Sequence, residues 1–137
     1  MAQGLDKPID ERPTVRSEIR RGYETGAVCA SYRQPADQLD GCISKILTEY
    51  RINHSSASAF EVGLNIRKWM MGDRYVQAAE RLPGNRLAED YALSGRISIA
   101  SARLDLMQRT RELGITFDDA FSAADVIPEN RPKDRGQ

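Results

Sequence analysis

At 137 residues the chain has room for one ordinary domain, and its 40% hydrophobic, 29% charged composition is that of a folded globule rather than a disordered chain. Twenty Lys and Arg balance twenty Asp and Glu, which excludes a global electrostatic pull toward nucleic acid or anionic lipid. No apolar run approaches the roughly 18–20 residues that span a bilayer, and residues 1–13 lack the apolar stretch of a secretory signal, so a soluble, cytoplasmic protein is expected.

Residues 1–13 carry Gly4, Pro8 and Pro13 among charges and read as a flexible tail, leaving an ordered domain over residues 14–125. Cys29 and Cys42 are too few for a disulfide scaffold. Cys42 falls on the apolar side of a helix predicted over about residues 35–51, where a free cysteine behaves as a small hydrophobe. That side is Leu39, Cys42, Ile43, Ile46, Leu47 and Tyr50, with Asp37, Asp40, Lys45 and Glu49 between them and Pro35 in the first turn. A polar linker, Asn53 to Ser56, follows. Ser58 and Glu61 have the spacing of a capping box. Phe60, Leu64, Met71, Tyr75, Ala78 and Leu82 then keep helical phase across Gly72, as one long helix or as two hinged at Gly72–Asp73.

Pro83–Gly84 breaks the chain, and Asn85 can cap a short helix ending near residue 93, with a turn at Ser94–Gly95. From residue 96 to 113, Ile97, Ile99, Ala100, Leu104, Leu106 and Met107 cover an arc wide enough for burial on more than one side. Gly114 suits the residue just past a helix end, and Thr116 with Asp118 and Asp119 opens a last short helix. Residues 126–137, with two prolines and little to bury, read as a second flexible tail. With no sustained alternation of period two, the predicted fold is all-α, a single compact domain of five or six helices.

Chemistry-bearing motifs are scarce. Cys29, Cys42 and His54 lie 13 and 12 residues apart, without the close cysteine pairing of a zinc site, so no metal and no cofactor are expected. The acid pairs Glu89–Asp90 and Asp118–Asp119 are explained by predicted helix N-termini, and phosphate-loop and nucleophile-elbow patterns are missing, which argues against an enzyme. Sixteen of the twenty basic residues are Arg, and residues 94–111 hold four Arg against one Asp. Ala88, Tyr91, Ala92, Leu93 and Ser94 are placed as in the first half of a helix-turn-helix, and the segment resembles that motif, with Gly95 as an extra residue in the turn. The resemblance implies a second helix that presents Arg96, Ser98, Ser101 and Arg103 to DNA.

A second candidate surface is residues 66–71. Arg67, Trp69, Met70 and Met71 have the composition of interface hot spots and adaptable binding surfaces. Trp69 and Met71 lie about 160° apart on a helix, so they require a central helix, a homodimer seam or a partner protein. The stretch from Glu112 to Asp125 has four acids and no base and follows the Arg-rich helix directly. The leading expectation is a small regulatory protein of bacterial, phage or plasmid type that binds DNA, as a dimer, through residues 85–113. The alternative is a protein–protein adaptor, inhibitor or chaperone that uses residues 66–71.

Overall fold

The computed structural model describes residues 14–30 and 35–132, and these form an all-α domain with no strand among them. Its α-helices are α1 (Val15–Thr25), α2 (Leu39–Asn53), α3 (Ser58–Arg81), α4 (Arg86–Leu113) and α5 (Phe117–Ala123). Short 3-10 turns at Gly26–Ala30, Ala36–Gln38 and Pro128–Asn130 connect and extend them. The predicted tail over residues 1–13 lies outside the described residues, as does residue 133 onward.

The helix ends follow local chemistry. Thr14 and Ser17 exchange side-chain and backbone hydrogen bonds that close a capping box on α1. Asn85 accepts from the Ala88 N–H at 3.0 Å to start α4, and Gly114 ends it with φ +69°. Thr116 and Asp119 form the reciprocal box that opens α5. This box holds the Asp119 carboxyl below its ordinary range, because the Thr116 backbone and hydroxyl stabilise the carboxylate.

The bundle is organised around α3, which is buried nearly all round. On one side Ile19 of α1, Ile99 and Leu106 of α4, and Phe121 of α5 pack with Val62, Ile66, Trp69 and Val76. On the other, Cys29, Leu39 and Ile43 pack with Phe60, Leu64 and Met71. Two close crossings fix the arrangement. A Cβ on Gly22 would run into the Phe60 carbonyl, and one on Gly63 into the Ile19 carbonyl, so α1 and α3 touch backbone to backbone. Likewise, a Cβ on Gly72 would lie 2.7 Å from the Gly95 carbonyl oxygen, so glycine sits on both sides of the α3–α4 contact.

Several expectations are corrected. Of the two readings of the stretch across Gly72, the single helix is the one formed: α3 is one helix of 24 residues, and glycine there admits α4. Ser94–Gly95 is no turn: α4 runs unbroken for 28 residues, and Gly95 is the other half of that contact. Ser58 and Glu61 form no capping box. Ser58 donates to Glu112, and the buried Glu61 carboxylate instead meets Arg51 Nη2 at 3.0 Å and Arg109 Nε at 3.1 Å. Cys42 is no free thiol but is bonded to Cys29, tying the turn after α1 to α2. Finally, the predicted tail from residue 126 is part of the domain as far as residue 132. Val126 is buried, and Arg131 lies over the Phe121 ring and donates to Asp118 at 2.7 Å.

Candidate functional site

The four residues expected to read DNA divide into two pairs. Arg96 is exposed and Arg103 half-buried, its guanidinium 5.8 Å from the Trp69 ring centre. Ser98 and Ser101 instead face the bundle. Ser98 is buried and donates to Asp40 Oδ1 at 2.6 Å, while Ser101 accepts from the buried Lys68 ammonium at 2.9 Å. Lys68 Nζ also lies 3.9 Å from Asp40 Oδ1, so the two serines and the Lys68–Asp40 pair form one polar seam joining α2, α3 and α4. Without a turn at Ser94–Gly95, and with Ser98 inside the fold, the helix-turn-helix geometry is not formed.

The residues of the second candidate surface are also mostly interior. Trp69 is 8% and Met71 7% exposed, and they belong to the two opposite core clusters flanking α3. The angular separation read from the sequence is therefore met by a central helix. Trp69 packs edge-on against Phe117 and Phe121. Arg67 lies 3.7 Å over the Tyr23 ring and donates from Nε to the Tyr23 carbonyl at 2.9 Å. Burial lowers its pKa from the ordinary arginine value. Met70 is half-buried against the same core.

An aligned run of exposed apolar side chains lies on α4. Leu93, Ile97, Leu104 and Met107 are between 49% and 60% exposed, and Ala100, between them in the chain, is exposed too. Their spacing of 4, 3, 4 and 3 residues keeps them in one line along the helix, as in a coiled-coil seam. The inward face of the same helix, Ala88, Ala92, Gly95, Ile99, Ala102 and Leu106, has the same spacing and packs on α3. The wide apolar arc in the sequence is thus two stripes, of which the bundle covers one. The 4-3 spacing carries this distinction in the sequence.

Beside the outer stripe is a groove of about 430 Å³, lined by Val76, Ile99, Ala100, Leu104 and Met107, with Arg96 and Arg103. Two more polar features lie elsewhere. Tyr50 stacks between Phe60 and His54, and its hydroxyl donates to the Glu18 carboxylate. Burial first, and then that bond to Glu18, push the Tyr50 phenol up to about 12. A polar recess between α3 and the C-terminal segment is lined by Tyr23, Asp73, Arg74, Gln77 and Arg131, among others. No grouping of three or more His, Cys, Asp or Glu among the described residues is suited to a metal ion. No described helix is long and apolar enough to cross a membrane. No protein-family model matches the chain, and neither does any curated protein or solved structure.

Proposed function

We propose that this is a non-catalytic binding protein that captures a protein partner on the outer face of α4. The observation that carries the reading is the line of Leu93, Ile97, Ala100, Leu104 and Met107, apolar, exposed and at seam spacing on a helix already anchored by its other side. Single exposed apolar residues need no explanation, but an aligned series on a rigid helix is the surface of an interaction site. The adaptor, inhibitor or chaperone role expected from residues 66–71 thus passes to α4, with Trp69 and Met71 holding the scaffold behind it.

The Cys29–Cys42 bond bears on where the protein works. Disulfides persist in oxidising compartments and are rare where glutathione keeps thiols reduced, so the bond supports a location outside a reducing cytoplasm.

The test is capture from the cells that produce the protein, comparing the natural chain with an Ile97→Asp/Leu104→Asp variant. The expected result is a partner held by the first and lost by the second, with identical helicity and melting. Retention by the variant would sink the proposal. A DNA reading rests on Arg96 and Arg103 and is tested alongside with a labelled random duplex. Binding that falls steeply with salt and weakens in Arg96→Ala would move the function to nucleic acid.

A further inference from the structure

We infer that the Cys29–Cys42 bond is a redox clasp, whose reduction frees α2 while the opposite side of the bundle stays folded. The two core clusters draw that division. The cluster of Trp69, Ile99, Leu106 and Phe121 joins α1, α3, α4 and α5, and no described residue of α2 belongs to it. Leu39, Ile43 and both cysteines instead lie with Phe60, Leu64 and Met71 on the other side of α3. Of the 15 residues of α2, only Leu39 and Ile43 are buried, and Tyr50 adds a stack on Phe60. The ion pairs of α2 reach water: the Asp40 side chain, beside Lys68, is 40% exposed, and that of Arg51, beside Glu61, 52%. Pairs so open to solvent contribute little. A 15-residue helix is marginal in water without a surface to pack on, so α2 depends on what holds it there. A bond that closes so short a loop of chain favours the docked helix on the order of 100-fold.

The bond is also placed where a reductant reaches it. Cys29 is fully buried, but Cys42 is half-buried and lines a surface groove with Asp37, Gln38, Gly41 and Lys45. A thiolate that enters there attacks Cys42 Sγ, the sulfur–sulfur bond breaks, and Cys29 leaves and takes up a proton. The Lys45 ammonium, in the same groove, favours the approach of that negative charge. A dithiol reductant then resolves the mixed disulfide with its second sulfur. The protein gains two electrons and two protons, and the dithiol departs as its own disulfide. An oxidising compartment keeps the clasp shut, and passage into a reducing one opens it.

The experiment is hydrogen exchange on the full chain before and after dithiothreitol, with a Cys29→Ser/Cys42→Ser variant alongside. On complete reduction, amides of residues 39–53 are expected to lose about 100-fold of their protection and approach free-peptide rates. Amides of α4 and α5 should keep protection of at least about 1,000-fold, and Trp69 emission should not move. The variant should show the reduced pattern without reductant and ignore its addition. Reoxidation of the natural chain with oxidised glutathione should restore protection over residues 39–53. Protection there that stays within about ten-fold of its oxidised value overturns the inference, because other contacts then hold α2. Loss of protection throughout the chain also overturns it, since the bond would then staple the whole fold and not one helix. An unfolded double variant carries the same meaning, and so does a reduced chain that reoxidation fails to restore.

Discussion

Helices α3 and α4 are the two long helices of this molecule, at about 36 Å and about 42 Å, and they meet at a glycine pair, but they differ in what surrounds them. α3 has neighbours on both sides, and even its Glu61, Asn65, Lys68 and Asp73 are buried. α4 has apolar residues on two faces and, among the described residues, a neighbour for one of them. Apolar periodicity therefore reports what a helix can bury, while the number of neighbours decides what it does bury. A stripe that no described residue covers is the place to look for function.

Four measurements test this contrast. Trp69→Ala should have the largest effect, a loss of about 3–5 kcal/mol in urea unfolding, because the ring is enclosed by α4 and α5 side chains. A surface-like loss below about 0.5 kcal/mol would show that α3 is not enclosed. Gly72→Ala should cost about 1–3 kcal/mol by driving a methyl into the Gly95 carbonyl, and an unchanged midpoint would mean that the helices do not touch there.

A third measurement concerns Tyr50, which closes the start of α3. Its folded pKa of about 12 stands above the unfolded value near 10, so the folded state keeps a proton that the unfolded state releases. Stability from this group is fully present below about pH 10 and should be lost as pH rises toward 12, and Tyr50→Phe should flatten that part of the profile. Identical alkaline profiles for the two proteins would remove the burial of Tyr50 from the account. The smallest effect is expected on α4, where Ile97→Ser and Leu104→Ser should each change stability by less than about 0.5 kcal/mol. A loss of about 2 kcal/mol would mean that the fold itself covers the outer stripe.

Much of the fold was legible in the sequence. The helical class, the break at Pro83–Gly84, and the Asn85, Gly114 and Thr116 ends rest on local chemistry that reads directly. What did not read was long-range. Gly72 and Gly95 have the local signature of a hinge and a turn, and only the approach of two backbones reveals them as contact points. Glu61 left its capping position because two arginines, Arg51 and Arg109, offered its carboxylate more than one backbone N–H could. Thr14 and Ser17 signal the start of α1, but with Ile19 as the one fully buried large apolar side chain of that helix the periodicity is thin. The count of five or six helices agrees with the structure partly because reading a turn at Ser94–Gly95 divides α4 in two, while the thin periodicity of residues 15–25 adds no helix. The same division displaced the candidate site, since a turn at Ser94–Gly95 would have turned Ser98 and Ser101 outward.

The bond between Cys29 and Cys42 has one more consequence, for how the chain comes apart. Arg33 is the only Lys or Arg between the two cysteines, so a tryptic cut there opens the backbone without separating the pieces. Cleaved protein would run as a single band on a non-reducing gel and divide into an N-terminal and a C-terminal fragment only after a thiol is added. The N-terminal fragment would carry the whole of α1, held to the rest by one sulfur–sulfur bond and by the packing of Ile19 and Gly22 on α3. A protease that nicks this connection leaves the molecule whole until a reductant decides otherwise.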